Sequence, residues 1–242
     1  MGAVADAWHG YKAGSFALLA LTEGDQVLDV GCGTGEDVRT LAGRIQGVSV
    51  VGIDASEEKI REACARTLGL PRSVDFRVAD AYALPFEDET FDACRADRVF
   101  HHLTHPCRAL AEMSRVTRPG GRVVVSDTDY DTLVVEAPDP ALTRRIVAHH
   151  VDRMESGRIG RQLPGLFRDA GLGSVAVTPY AAVATGYDEE VLKLQDKAER
   201  AAKAGAIAHA DAARWVESLT EADRAGRFVC ALIFLTVCGR KT

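Results

Sequence analysis

The stretch Val27-Leu28-Asp29-Val30-Gly31-Cys32-Gly33-Thr34-Gly35 decides the fold of this 242-residue chain. Its first four residues are typical of a short apolar strand, and its three glycines form a tight turn before a helix predicted over 36–45. Such a turn brings backbone N–H groups close to a ligand. The spacing is G-x-G-x-G, and Glu36 stands where the dinucleotide fingerprint has its third glycine. Because Asp29 would repel a phosphate, the loop favours a ligand with a cationic or amino group.

The first half of the chain alternates predicted strands with predicted helices. Strands are predicted over 27–30, 48–53, 74–78, 91–96 and 122–126, and helices over 36–45, 57–67 and 107–117. This alternation is typical of parallel βαβ units in a doubly wound α/β sheet. The second half has predicted helices over 138–154, 163–170, 188–205 and 210–219, and predicted strands over 175–183 and 228–237. We expect the two late strands to finish the sheet and the helices between them to form a lid.

Composition and charge restrict the classes of function. An apolar fraction of 47% is ordinary for a globular protein, and a formal net charge of −6 argues against a nucleic-acid partner. No apolar run of about 18 residues predicts a membrane span, and the N-terminal residues lack the apolar core of a signal peptide. The six cysteines form no C-x-x-C pair and match no zinc template. We therefore expect a soluble, cytoplasmic protein with reduced cysteines and no metal.

Two further acidic residues follow predicted strands. Asp54 ends the strand predicted over 48–53, where its carboxylate can accept hydrogen bonds from ribose hydroxyls. Asp80 follows the strand predicted over 74–78. Either acid could be a helix cap or a loop acid, but their paired placement after strands favours contact with a ligand.

Four stretches occur in a fixed order along the chain: VLDVGCGTG (27–35), VVGIDAS (50–56), VADAYALPFEDETFD (78–92) and FHHLTHPCRALAEMSRVTRPGGRVVVSD (100–127). In this order they resemble the motifs of the class I S-adenosylmethionine-dependent methyltransferases, especially the small-molecule group like the ubiquinone and menaquinone methyltransferases. The resemblance implies a Rossmann-like doubly wound sheet of seven strands, with the last strand antiparallel, and a helical lid. It also implies S-adenosylmethionine as methyl donor, S-adenosylhomocysteine as product, and a natural-product or quinone-like small molecule as acceptor.

The resemblance assigns cofactor-binding roles to residues of these motifs. The loop glycines would border the methionine part and the ribose, and Asp29 would lie near the amino group or only hydrogen-bond the loop. Asp54 would hold the ribose hydroxyls, Asp80 would bind the adenine amino group, and Arg98 would lie near the sulfonium. The predicted cofactor-binding residues are Asp29, Gly31, Gly33, Gly35, Asp54, Ala55, Asp80, Ala81 and Arg98.

Methyl transfer to a phenol or alcohol requires a base that removes the acceptor proton, and histidine suits this role. His101 and His102 follow the predicted fourth strand and are the candidate catalytic residues. His102 could instead fix the loop by bonding the backbone, and His101 and His105 have only a weakly metal-like spacing. The predicted substrate residues are Tyr11, Asp127, Tyr130 and His150.

Several polar and aromatic residues allow two interpretations. Asp129 and Asp131 are interpreted as solvated loop acids. Arg158 and Arg161 could bind an anionic group of the substrate, although solvated surface arginines are more common. An aromatic N-terminal segment is either a lid over the pocket or a helix packed on the domain, and it contains Trp8, His9, Tyr11 and Phe16.

We expect one domain over 1–242, with N-terminal lid helices in 1–25, a cofactor-binding core in 26–127, and a substrate lid with closing strands in 128–242. The apolar side of the helix over 188–204 could pack as core or lid, or form a homodimer face. Three rival functions stay open: an NAD-dependent oxidoreductase, a cyclisation or rearrangement that uses the cofactor as a scaffold, and a non-catalytic partner subunit. The loop spacing argues against NAD, and the intact Asp54 and Asp80 argue against a decayed pocket.

Overall fold

A seven-stranded sheet forms the centre of the computed structural model, which describes residues 10–67 and 73–242. Its strands are β1 (Gln26–Val30), β2 (Ser49–Asp54), β3 (Val74–Val78), β4 (Phe91–Asp97), β5 (Thr117–Val135), β6 (Gly173–Ala184) and β7 (Cys230–Arg240). They lie in the order β3-β2-β1-β4-β5-β7-β6. Strands β1 to β5 pair in parallel, and β7 runs antiparallel to both of its neighbours. The predicted doubly wound sheet with an antiparallel last strand is confirmed.

Helices cover both faces of the sheet. They are α1 (Lys12–Leu18), α2 (Glu36–Arg44), α3 (Glu57–Thr67), α4 (Pro106–Val116), α5 (Pro140–Asp152), α6 (Ile159–Asp169), α7 (Glu189–Leu192), α8 (Leu194–Lys203) and α9 (His209–Arg224). Helices α1 and α2 bury Phe16 and Leu41 on one face, while α4 and α6 bury Met113 and Leu163 on the other. A third core cluster joins α5, α8 and α9 to β7. No helix in the described ranges is long and apolar enough to cross a membrane.

The carboxyl ends of the parallel strands bring the predicted site residues to one edge of the sheet. Gly31 follows β1, Asp54 ends β2, and Arg98 follows β4. The strand order reverses between β1 and β4, and ligands of such sheets bind in the crevice at this switch point. The register places Asp29 of β1 directly beside Arg95 of β4.

Strand β5 is longer than the strand predicted over 122–126. It begins at Thr117, before Pro119-Gly120-Gly121, and continues to Val135. Pairing with β7 continues on both sides of an irregular stretch between Asp129 and Val134, and this pairing extends the strand. Two predicted substrate residues, Asp127 and Tyr130, therefore lie within a strand and not after one.

The helix predicted over 188–205 is divided into α7 and α8. The division lies at Lys193, whose φ of 51° is left-handed and interrupts helical hydrogen bonding. Leu192, Leu194 and Ala198 are at most 5% exposed and pack in the chain's own third core cluster. These three residues fit the core alternative, and they are not available as a homodimer face.

Candidate active site

A small, highly charged cavity of about 200 Å³ lies at the carboxyl ends of β1 and β4. The glycine loop forms one wall of it. Gly31 has a φ of 72°, and a Cβ at this residue would lie 2.3 Å from a methyl carbon of Val99. Gly33 has a φ of 56°, and a Cβ there would meet no atom within 4 Å. The loop therefore turns in a conformation that glycine allows, and it leaves open space beside Gly33 for a ligand.

Arg95 of β4 is the buried cation of this cavity, and the sequence analysis missed it. The residue is 1% exposed, and its Nη1 donates to Asp29 at 2.9 Å and to Asp37 at 3.1 Å. Its Nη2 lies 3.8 Å from Asp97 and has no hydrogen-bond partner within residues 10–67 and 73–242. Burial raises the pKa of Asp29 to about 7, against the lowering effect of Arg95. Both interpretations of Asp29 remain open, since it pairs with Arg95 and also lines the cavity.

Helix α1 lies over this cavity. Lys12 places its Nζ 2.8 Å from Asp37 and 3.4 Å from Asp97. The hydroxyl of Tyr11 donates to Asp97 at 2.5 Å, and its ring stacks on Phe234 with centroids 4.6 Å apart. Tyr11 is thus buried beside this first cavity, which is called the cofactor cavity below, and does not line the second cavity, in which it was expected to contact a substrate.

Two aromatic residues of the same segment, Trp8 and His9, lie outside the described residues. Phe16 is 7% exposed, and its ring packs against the guanidinium of Arg95 at 4.9 Å. For Phe16 the arrangement fits the alternative of a helix packed on the domain. A lid role for residues 1–25 stays a prediction.

The acids after β2 and β3 are held by backbone N–H groups. Asp54 accepts from Gly33 at 3.0 Å and from Ser56 at 2.9 Å. A carboxylate has about four acceptor sites, so Asp54 can still accept bonds from two hydroxyls. Asp80 accepts from the backbone of Tyr82 at 2.9 Å, and this bond orients the short turn that carries Ala81. Ala55 connects β2 to the start of α3.

The cavity residues fit S-adenosylmethionine. The unpartnered Nη2 of Arg95 suits the carboxylate of a methionine group. Asp29 and Asp97 suit its ammonium, and the open space beside Gly33 admits the chain between them. Asp54 lies next to Gly33 and can accept hydrogen bonds from the ribose hydroxyls of the nucleoside part. This donor and acceptor set fits a zwitterionic amino acid joined to a nucleoside better than it fits a pyrophosphate.

A second cavity of about 320 Å³ adjoins the first, and Arg98 lines both. Arg98 has a φ of 54°, which is unusual for a residue with a side chain and is typical of functional sites. The walls of this second cavity, called the acceptor cavity here, include polar rings, cations and apolar side chains. They are formed by Arg98, His101, His102, Tyr130, Leu133, His150, Met154, Val191, Leu192, Lys193, Asp196, Lys197, Arg200, Cys230 and Leu232.

His101 is fixed against Asp127 beneath this cavity. Its Nδ1 lies 2.7 Å from Oδ1 of Asp127, and its backbone N–H donates to Oδ2 at 3.1 Å. His101 is 5% exposed and Asp127 is 0% exposed. Because an ionised carboxylate only accepts, Nδ1 carries the proton and Nε2 keeps its lone pair. Asp127 thus lies behind His101 and not on the cavity wall, which corrects its expected position among the pocket-lining residues.

The remaining predicted rings form a chain along the cavity wall. The ring centroid of His101 lies 3.9 Å from that of His102 and 5.4 Å from that of Tyr130. The ring centroids of Tyr130 and His150 are 5.5 Å apart. Burial and the nearby cations Lys197 and Arg200 lower the pKa of His150 to about 4. Burial and His101 also lower the pKa of His102. The structure therefore brings His101, His102, Tyr130 and His150 together around one cavity.

One other expectation requires correction. Asp129 is not a solvated loop acid, because it is 2% exposed and pairs with Arg161. Arg161 does not line the acceptor cavity. Arg158 likewise pairs with Asp131 at 3.4 Å. His105 begins α4, and its backbone N–H donates to Tyr82 at 3.1 Å. In the part of the chain that the structure describes, no three candidate ligands cluster to hold a metal.

Comparison with known proteins supplies the family context. Residues 28–125 match the family described as "Methyltransferase domain". A 37.1 kDa protein of transposon TN4556 from Streptomyces fradiae is 38% identical over 244 residues, which are 99% of this chain and 69% of that protein. The O-methyltransferase cnsE of Penicillium expansum is 33% identical over 163 residues, which are 66% of this chain and 56% of that enzyme. The solved structure of the 4+2 cyclase SpnF has 25% identity and a TM-score of 0.61, and covers 96% of this chain and 80% of that one.

Proposed function

Because the chain belongs to the class I S-adenosylmethionine-dependent methyltransferases, we propose that it methylates a hydroxyl oxygen of a small-molecule natural product. The observation that carries this proposal is His101, which lines the acceptor cavity next to the cofactor cavity and is paired with the buried Asp127 behind it. The chain spans just over half the length of cnsE, so the choice of oxygen as the methylated atom is part of the proposal.

The chain's own residues account for the proton transfer that an alcohol or phenol requires. When bound, the cofactor supplies an activated methyl group on a sulfonium. His101 accepts the hydroxyl proton at Nε2 as the acceptor oxygen forms its bond to the methyl carbon. With S-adenosylmethionine held by the residues of the first cavity and Asp54, its sulfonium would give up the methyl group and S-adenosylhomocysteine would remain. Asp127 holds the ring in the required tautomer and stabilises the imidazolium until its proton passes to water.

The cavity walls position the acceptor. Leu133, Met154 and Leu232 contribute apolar side chains to the wall, which suit the hydrocarbon part of an acceptor. Arg98 lines both cavities, so direct transfer of the methyl group from donor to acceptor would take place beside it. Holding acceptor and donor in line supplies much of the rate in such a displacement, since the methyl group is already activated.

A screen with matched acceptors tests the proposal. Purified protein is incubated with S-adenosylmethionine and pairs of compounds that differ only in a free or an O-methylated hydroxyl, and release of S-adenosylhomocysteine is measured. We expect release with the free hydroxyl of a pair and none with its O-methylated partner, and we expect His101→Gln to abolish release without preventing cofactor binding. Equal release by His101→Gln, or release with amines alone, would contradict the proposal.

The likeness to the SpnF cyclase favours a second candidate, in which the bound cofactor is a scaffold for a cyclisation. That reaction leaves the cofactor intact. An isomerised product without S-adenosylhomocysteine would support the cyclisation and contradict methyl transfer.

A further inference from the structure

Lys197 is a buried cation on the wall of the acceptor cavity, and the mechanism above does not use it. It lies on α8, is 9% exposed, and lines the same cavity as His101. Its Nζ donates to the carbonyl oxygens of Leu192 at 2.9 Å and Lys193 at 3.2 Å. An ammonium carries three N–H donors, so one donor of Lys197 remains for another acceptor.

Lys197 has no ion-pair partner among the described residues, and the carboxylates of Glu189 and Asp196 act on it only from farther away. The neighbouring cations differ, because Lys193 pairs with Glu190 at 3.1 Å and Arg200 pairs with Asp196 at 2.8 Å. Burial lowers the pKa of Lys197, and this effect outweighs the raising effect of Glu189 and Asp196. A buried charge is costly unless it is paired, so its place on a cavity wall indicates a partner supplied by a ligand.

We propose that Lys197 binds a carboxylate group of the acceptor, at the lid side of the cavity whose floor carries His101. The proposal rests on the proposed function, since it concerns the substrate of the same site. It adds a substrate class: a hydroxylated molecule that also carries a carboxylate.

The surroundings of Lys197 favour a single negative charge on an apolar body. The one free N–H donor of Lys197 suits one carboxylate oxygen. His150 adds no charge here, because burial keeps its imidazole neutral near neutral pH. Leu133 and Leu232 line the same space and suit the hydrocarbon part of an acid.

Calorimetric binding of two matched probes tests this inference without any turnover. Protein loaded with S-adenosylhomocysteine is titrated with para-hydroxybenzoate and with para-hydroxybenzamide, which replaces the carboxylate by a neutral amide. We expect the carboxylate to bind about tenfold more tightly, the preference that one charge-assisted hydrogen bond gives. Lys197→Met should abolish the preference, and Lys197→Arg should retain most of it. Lys203→Met is the matched control, because Lys203 is exposed on the same helix.

The outcomes separate the inference from the proposed function. Equal binding of the two probes to the wild type, or binding of neither, would overturn the inference. It would also be overturned if Lys197→Met kept the preference and bound S-adenosylhomocysteine normally, because Lys197 would then only cap α7. A carboxylate preference that depends on Lys197 would support it, even if no hydroxyl were methylated and the proposed function failed.

Discussion

Asp127→Asn removes one acceptor oxygen from a buried carboxylate that accepts three N–H bonds. Oδ1 accepts from Nδ1 of His101 and from the backbone of Thr128, both at 2.7 Å, and Oδ2 accepts from the backbone of His101 at 3.1 Å. The amide of asparagine can present its oxygen to only one of these two sides. On the other side its NH2 group faces an N–H donor, so at least one buried donor loses its partner.

Both orientations of the amide impair the proposed base. If the NH2 group faces Nδ1 of His101, the ring proton moves to Nε2 and the ring can no longer accept the hydroxyl proton. If it faces the backbone of His101, the residue loses the bond that fixes its position. General-base catalysis contributes about 100- to 10,000-fold, so we expect turnover to fall at least about 100-fold. Leaving a buried donor unsatisfied costs about 1–3 kcal/mol, and the free energy of unfolding should fall by about that amount.

The assay is the single-turnover rate of S-adenosylhomocysteine formation with saturating S-adenosylmethionine and the acceptor that the screen identifies. Binding of S-adenosylmethionine, measured by calorimetry, should be unchanged. Asp131→Asn is the matched control: this acid is on the same strand, its side chain is 35% exposed, and it pairs with Arg161 at 3.3 Å. We expect the control to keep the wild-type rate. A folded Asp127→Asn variant that also keeps that rate would refute the role of His101 as the base.

The remaining predictions concern the cofactor cavity and the response to acid. Gly31→Ala should lower the free energy of unfolding by about 2 kcal/mol or more in urea denaturation, because it adds backbone strain and a steric clash. Gly33→Ala should lower it by less, but it should weaken cofactor binding in calorimetry. If Gly33→Ala left the affinity unchanged, the cofactor would not lie beside Gly33. Arg95→Met should destabilise the fold by about 3 kcal/mol, because Asp29 loses its buried partner. It should also weaken binding of S-adenosylhomocysteine about tenfold. Normal affinity would exclude Arg95 as the residue that binds the carboxylate of the cofactor. Because burial holds the pKa of His150 at about 4, its imidazole binds more protons in the unfolded chain between pH 4 and about 6.5. The contribution of His150 to the free energy of unfolding therefore falls by about 2 kcal/mol between pH 7 and pH 5, while the raised pKa of Asp29 acts in the opposite direction. In urea denaturation, the change in the free energy of unfolding between pH 7 and pH 5 should differ between the wild type and His150→Gln by about 2 kcal/mol, with the larger loss in the wild type. The same change in both proteins would show that His150 does not contribute.

The doubly wound sheet and the glycine loop could be predicted because the alternation of strands with helices and the turn after the first strand are visible as local patterns. The run from Val27 to Gly35 combines an apolar strand with a turn that needs positive φ, and the structure has both. Strand β5 could not be delimited in this way. Its length depends on pairing with β7, which lies about 100 residues later in the chain, and Pro119-Gly120-Gly121 locally indicates a break.

The charged part of the site could not be predicted because it depends on the register between strands. Arg95 looks like an outward residue of an ordinary strand until β4 is placed beside β1, where it is directly opposite Asp29. Arg95 could have been found from the sequence by aligning the two central strands, because the alignment pairs it with the opposite charge of Asp29. The pairing of His101 with Asp127 similarly requires β4 and β5 to be neighbours, with Asp97 beside Ser126.

Lys197 was missed for a different reason. A lysine in an amphipathic helix is usually solvated, and the sequence does not show that α8 turns this residue towards the third core cluster. Only the division of the helix at Lys193 brings its Nζ to the carbonyl oxygens at the end of α7.

The most direct test of the central claim is to follow the methyl group itself. Wild-type protein and His101→Gln are incubated in parallel with methyl-labelled S-adenosylmethionine and the hydroxylated acceptor, and mass spectrometric fragmentation locates the label. The account predicts label on the acceptor oxygen with equimolar S-adenosylhomocysteine from the wild type, and no label from His101→Gln although it binds the cofactor. Label on carbon or nitrogen, or an equally labelled product from both proteins, would contradict it.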